Sequence, residues 1–381
     1  MKRSPAAIGL ACGLLMAVLL AARVAGPAGS LTGLAVVDEA HVDRAHFPFD
    51  TPLRETDQGY DGQVYLALAI DPWPERAEVA GIRIDYAEYR QLRIGYPLLA
   101  WSLALGRLPW VPFGLAAANV LAVALAVAAA AATAKGLGRS PLLGTLVLAL
   151  PGLWMAASRD LTEPLAVAAL LGAGLALVRG RPQWAGGCLA VAALTRSEAL
   201  LGAVALAPIS VFGSLIPVAV AAIWYAVVHL HWSGIPVYAP GAQFVIPFLG
   251  LARGIVEDAR ALGGPAMAES GVELALIAWH LAAFAILGAA LWRARRDETS
   301  ADAALRLRRW GSLSLLLWLG FALSLAPHLW ADDWAFARLM SPGLAVGGLA
   351  TLSTEWRPSR VFGAVTVLMV IGTVLRLATH I

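Results

Sequence analysis

Apolar runs, each closed by one or a few charged residues, repeat along the whole chain. They predict helices near 5–25, 110–134, 141–157, 161–178, 183–196, 199–213, 214–231, 272–292, 310–330, 339–354 and 361–379. A hydrocarbon core of ~30 Å takes ~20 apolar residues per crossing, so the pattern reads as an all-α polytopic transmembrane bundle of about 10–11 spans. Several runs are shorter than a full crossing. Between 183 and 231, Pro208 and Pro217 interrupt the pattern, and the two short segments there are either re-entrant or one broken helix. The runs are continuous and rich in Ala and Leu, whereas a membrane barrel alternates over ~10-residue segments.

Two polar stretches are long enough to carry structure of their own: a first outer loop over 27–94 and a second over 233–271. Loops of such length in compact proteins are usually functional. Within the first, Tyr60-Asp61-Gly62-Gln63-Val64-Tyr65-Leu66-Ala67-Leu68-Ala69 has a helical apolar stripe and is expected to lie along the membrane surface. Within the second, 244–262 is amphipathic. No internal repeat or separate soluble domain is visible, so 1–381 reads as one integral membrane domain.

Composition supports lipid as the main solvent: 59% of residues are hydrophobic, 14% are charged, and mean hydropathy is +0.72, against ~25% charged in ordinary soluble domains. The net charge of +3 does not imply nucleic acid, because the Arg residues stand singly at the ends of apolar runs without a basic patch. Membrane orientation explains them. With Lys2 and Arg3 in the cytoplasm, alternation through the spans puts Lys135 and Arg139, Arg179 and Arg181, Arg293 to Arg309, and Arg357 and Arg360 on that same side. The 27–94 loop then lies outside, with twelve acids against six bases. This predicts a multi-pass protein of the inner (cytoplasmic) membrane. The stretch after Lys2 and Arg3 is either a cleaved leader or, more commonly in polytopic chains, a first anchor. Cys12 and Cys188 sit inside apolar runs and read as packing residues.

Ionisable groups near helix ends in a bilayer protein are costly unless they pair, meet water or handle substrate. Those that map to the outer face are Asp38 and Glu39, Asp61, Arg159 with Asp160 and Glu163, Arg196 with Glu198, His229 and His231, His328 with Asp332 and Asp333, and Arg338. Asp61 either caps a helix or faces a cleft. Asp38 and Glu39 are either solvated acids or a general base. Arg159, Arg196 and Arg338 can grip a phosphate through the planar guanidinium fork, or pair with the neighbouring acids. His328 is an interfacial anchor or a proton carrier, and Trp330 and Trp334 read as interfacial belt residues. His41-Val42-Asp43-Arg44-Ala45-His46 lacks standard metal-ligand spacing, so no cofactor is expected and a divalent cation has no support from spacing.

Three local patterns resemble the glycosyltransferase C superfamily, in its bacterial mannosyltransferase-type members: Tyr60-Asp61-Gly62-Gln63-Val64-Tyr65, Arg93-Ile94-Gly95-Tyr96-Pro97-Leu98-Leu99, and Asp333-Trp334-Ala335-Phe336-Ala337-Arg338-Leu339-Met340-Ser341-Pro342. Ala193-Leu194-Thr195-Arg196-Ser197-Glu198 also looks like a family segment that contributes an Arg. The resemblance implies inverting transfer of a sugar, mannose or another hexose, from a polyprenyl-phosphate carrier on the outer face. An outer-loop acid, Asp61 or Asp38 and Glu39, would act as base. Arg159, Arg196 and Arg338 would hold the donor phosphate, and Asp160, Glu163, Glu198, His328, Asp333, Tyr60 and Gln63 would bind substrate or move protons. The chain departs from the family pattern in lacking a sizeable soluble C-terminal domain, which makes a glycolipid or glycan the expected acceptor. The competing classes are a transporter or lipid flippase, which predicts charges deep in the spans and repeat symmetry, and a noncatalytic scaffold.

Overall fold

The structure is a computed structural model that describes residues 4–55, 60–233, 244–262, 264, 267–295, 301–330, 332–355 and 360–379. It is 75% helix and 3% strand. The first apolar run forms α1 (Pro5–Ala25), with a proline in the first turn, where its missing N–H leaves no bond unmade. The polar stretch that follows holds α2 (Asp61–Ile70), a two-stranded hairpin (Glu78–Val79 with Ile82–Arg83) and α3 (Ala87–Gln91). The hairpin was not foreseen from the sequence. Its turn residues, Ala80 and Gly81, both have positive φ (49° and 76°), the twist that two-residue hairpins require.

Helix α2 departs from the expected surface helix. Every residue from Gly62 to Ala69 is buried, because beyond Gln63 the helix has no polar face to give to water. Gly95–Leu103, assigned to no span above, forms α4, and a turn through Leu105 and Gly106 (φ 55° and 66°) reverses the chain into α5 (Val111–Gly136).

The run at 141–157 is not one helix. A 3-10 stretch (Pro141–Ala149) ends at Leu150, and α6 (Pro151–Ala157) starts afresh, since Pro151 supplies no N–H and pushes the residue before it to extended backbone. Then come α7 (Glu163–Val178), α8 (Pro182–Thr195) and α9 (Leu200–Leu206). Helix α9 stops well short of 213, just before Pro208, and the Ser210 hydroxyl accepts from the Gly213 amide at 3.0 Å to open α10 (Val211–His231). Pro217 lies inside α10 without ending it. The amphipathic segment forms α11 (Leu249–Ala261), which buries Gly250, Leu251, Gly254 and Asp258 along one face.

Helix α12 (Met267–Ala294) is followed by α13 (Asp302–Leu323), α14 (Pro327–Trp330), α15 (Asp333–Thr351) and α16 (Arg360–Thr379). The run at 310–330 therefore divides before Pro327. Among the described residues, four helical stretches, Pro5–Ala25, Leu108–Gly136, Val211–His231 and Glu269–Ala294, are long and apolar enough to cross a membrane.

Glycines set the closest approaches. A Cβ on Gly152 of α6 would collide with the backbone oxygen of Ala337 in α15, whereas one on Gly187 of α8 would meet nothing within 4 Å. Gly152→Ala is therefore expected to lower stability by about 1–3 kcal/mol through overpacking. Gly187→Ala should instead raise it by about 0.5–1 kcal/mol through helix propensity. Thermal melts of the two variants in one detergent check the opposite signs.

Candidate functional site

Five separate stretches of chain deliver ionisable side chains to one end of the bundle. They are the start of α2, the α3–α4 junction, the turn from α6 into α7, the turn from α8 into α9, and the second turn of α15. Gly62 makes the first of these junctions possible: a Cβ there would sit 2.5 Å from the Arg159 carbonyl oxygen and 2.7 Å from that of Ala35. The bare backbone lets Asp61 and Tyr60 stand directly beside the Arg159 turn.

The charges form an alternating chain. Arg90 of α3 holds Asp85 through two bonds, Nε to Oδ1 at 3.2 Å and Nη2 to Oδ2 at 2.9 Å, and reaches Asp61 with Nη1. The other Asp61 oxygen lies 3.6 Å from Arg338 Nη1, which is also 3.6 Å from Glu163 Oε1. That same Glu163 oxygen accepts from Arg196 Nη1 at 2.6 Å, and Arg196 Nε donates to Glu198 at 2.5 Å. Arg93 stands beside the chain, donating Nη1 to the Tyr65 hydroxyl at 3.3 Å and Nη2 to the Tyr89 hydroxyl. Burial pushes the Asp61 carboxyl up, but the charges of Arg90, Arg338 and Arg93 outweigh it and hold the group well below the usual carboxylate range.

Arg159 is bound differently. Its guanidinium carbon lies 3.3 Å from the Trp334 ring centroid and 4.6 Å from that of Tyr60. Among the described residues its side chain makes no ion pair and no hydrogen bond, and its Nε is buried without a partner. Further buried polar atoms without a hydrogen bond belong to residues of these same stretches: Tyr60 Oη, Asp160 Oδ2, Thr162 Oγ1, Glu163 Oε2, Arg93 Nε and Arg338 Nη1. Native interiors rarely leave such atoms without a partner once water is counted.

No family model, curated protein or solved structure matches this chain.

Of the residues expected from sequence, the structure brings together Asp61, Tyr60, Arg159, Glu163, Arg196, Glu198 and Arg338. Asp160 is buried in the same turn at φ 51°, 3.5 Å from the Tyr96 hydroxyl, which accepts from Asn119 at 2.8 Å. Burial pushes the Asp160 carboxyl up to about 8. Gln63 turns the other way and accepts from the Asp38 amide at 3.0 Å. Asp38 is itself buried and accepts from the Ala40 amide at 2.7 Å, the role of a helix cap, and Glu39 pairs with Arg44 at 3.0 Å on an exposed surface.

His41 and His46 lean on different acids, Asp38 at 3.4 Å and Asp43 at 2.6 Å. His328 is exposed on α14, and no ion pair or hydrogen bond joins it to the cluster among the described residues. The Asp333 side chain lies outside the described residues. Trp330 and Trp334 are not belt residues: both are buried, Trp330 stacked on Phe336 at 5.7 Å and Trp334 on Arg159.

Sequence reasoning missed Arg90, Tyr65 and Asn119 as site residues. Asn119 carried a usable signal, a lone amide in the middle of an apolar span. Arg90 carried none, since it stands in a loop full of charges.

Two outcomes follow from this geometry. Arg196→Gln leaves Glu198 buried without the cation it pairs with and Glu163 with only the longer contact to Arg338, and should destabilise by about 3–5 kcal/mol, read as a fall in the thermal midpoint. Asp61 contributes stability that is complete above about pH 4, where the unfolded carboxyl is ionised, and is lost as pH falls through its depressed folded value. The melting-temperature gap between wild type and Asp61→Asn should therefore narrow only below about pH 4; a constant gap from pH 7 to pH 3 contradicts the pairing.

Proposed function

We propose that the chain is an inner-membrane glycosyltransferase that moves a hexose from a polyprenyl-phosphate carrier to a glycolipid or glycan acceptor, with inversion, on the extracytoplasmic side. One observation carries the reading: guanidinium and carboxylate side chains from five distant stretches converge at one end of a helical bundle, among orphaned buried polar atoms. The positive-inside assignment puts that end outside the cell. In support of it, the Arg23 guanidinium at the end of α1 reaches the Leu377 carbonyl near the end of α16, as two helices rising to the same face would.

Arg159 takes the donor phosphate. It is a cation held by aromatic faces that forms no ion pair among the described residues, and its planar fork suits phosphate oxygens. Arg338 is the second ligand, since its contacts to Asp61 and Glu163 at 3.6 Å are too long to be hydrogen bonds and are readily exchanged for a phosphate oxygen. Arg196 is pinned between Glu163 and Glu198 and positions Glu163. Asp61 is the general base; its side chain is 22% exposed against 1% for Glu163 and 7% for Glu198, so an acceptor hydroxyl can reach it.

In the reaction the acceptor oxygen bonds to the anomeric carbon as Asp61 takes its proton. The bond from that carbon to the phosphate oxygen breaks, and the electron pair stays on the phosphate, where Arg159 and Arg338 stabilise the added charge.

Membranes containing Asp61→Asn should transfer sugar from radiolabelled polyprenyl-phosphate hexose about 10²–10⁴-fold more slowly than wild type at equal expression. Arg159→Ala should lose both donor binding and rate, with Arg159→Lys only partly restoring them. Full transfer by Asp61→Asn sinks the base assignment, and carrier movement across proteoliposomes without covalent change replaces the enzyme by a transporter.

A further inference from the structure

Away from the charged cluster, the outer end of α10 carries a second constructed surface. Trp73 follows α2 by a short turn in which its amide donates to Asp71 Oδ1 at 3.0 Å. The indole packs against the His231 ring (centroids 4.2 Å apart, planes at 40°) and against Trp224 (5.9 Å, 58°). The residue remains 43% exposed.

The support beneath it is tightly bonded. His231 Nε2 donates to the Pro74 carbonyl at 2.8 Å, which leaves Nδ1 as an acceptor. Gln91 is the hub: its amide donates to the Pro72 carbonyl at 3.0 Å, its side-chain oxygen accepts from Trp232 Nε1 at 2.5 Å, and its backbone carbonyl accepts from Trp224 Nε1 at 3.1 Å. The residue before it, Arg90, grips Asp61. One short helix, α3, therefore fixes both the aromatic surface and the acid of the charged site.

An aromatic residue that merely anchors a protein at the bilayer boundary needs an apolar body and a wet polar edge. It does not need its ring braced by two further rings and a network of four hydrogen bonds tied to a charged cluster. A fixed, half-open indole face flanked by hydrogen-bonding groups such as Asp71 and His231 matches a pyranose, whose ring offers one face of C–H groups and a rim of hydroxyls.

We propose that the exposed face of Trp73, backed by His231 and Trp224, binds a pyranose ring of the acceptor. The proposal rests on the glycosyltransferase reading for the word acceptor, while the binding itself does not depend on transfer. The bound sugar comes either from a soluble glycan or from the headgroup of a glycolipid, and these sources share the same recognition chemistry.

The test uses the full chain in lipid nanodiscs with two kinds of probe: mannotriose and maltotriose free in solution, and the same trisaccharides carried on a dialkyl lipid in the disc. Saturation-transfer NMR and tryptophan fluorescence report binding. Trp73→Ala should weaken binding about tenfold, and Trp73→Phe should recover most of it. Trp73→Ala gives up the ring contacts to His231 and Trp224 and should lower the melting temperature modestly, whereas Trp73→Phe should keep it, and both should remain folded at the temperature of the binding assay.

Binding in either arm that depends on Trp73 supports the proposal, and the arm that responds identifies the source. Equal binding by wild type and Trp73→Ala overturns it, as does absence of binding by wild type in both arms. Sugar binding through Trp73 in a protein that never cleaves the donor would remove the proposed function and leave this site standing. Donor cleavage with no saccharide on Trp73 would do the reverse.

Discussion

Taking a guanidinium or a carboxylate out of water costs several kcal/mol per ion, and only an opposite charge in good geometry offsets it. That constraint organises the site end of this bundle. Arg90, Asp61, Arg338, Glu163, Arg196 and Glu198 alternate in sign from one neighbour to the next, so every charge in the series has an opposite charge beside it. The helices that carry them are held in register by the same rule. Gly62 against the Arg159 carbonyl and Gly152 against Ala337 bring backbones close enough for the charges to meet, and the charges in turn fix how those backbones are arranged. Arg159 is the exception, since neutral aromatic rings cover its faces and its side chain makes no hydrogen bond among the described residues.

This constraint also explains what the sequence could and could not reveal. Arg159, Glu163, Arg196, Glu198 and Arg338 were legible because each stands at the edge of an apolar run, where an isolated charge is expensive and therefore informative. Arg90 was hidden, because in a loop with twelve acids and six bases a charge costs little and tells little. Whether such a loop residue is solvated or buried depends on how α2 and α3 fold back onto the bundle, a tertiary event with no local signature. The same ambiguity ran the other way for Asp38 and Glu39, one of which caps a turn while the other pairs at the surface.

Helix positions followed the apolar period well where runs were long, as in α1, α5, α10 and α12. They failed where proline decided. Pro151 and Pro327 split runs that hydropathy alone would join, because apolar character says which residues seek lipid or core and not whether the backbone ladder is continuous. Pro217, by contrast, sits within α10. Trp330 and Trp334 show a similar limit: a Trp near a helix end suits an interface and an interior equally by composition, and here the second of them is the ring on which Arg159 lies.

The proposed chemistry has to reconcile two facts about Asp61. A base needs proton affinity, yet Arg90 and Arg338 hold this carboxyl well below the usual range. Under the proposed reaction the donor resolves the conflict. A phosphate beside Arg159 and Arg338 draws the Arg338 guanidinium toward its own oxygens and adds negative charge near Asp61, and both changes raise the affinity of the carboxylate for a proton. Arg90, anchored separately by two bonds to Asp85, stays and keeps Asp61 oriented. In that reaction the acid would be unreactive without the lipid-linked donor and would become a base only with the leaving group in place, so the acceptor would be activated second. Such an ordering would follow from a shared guanidinium and would require no movement of a helix.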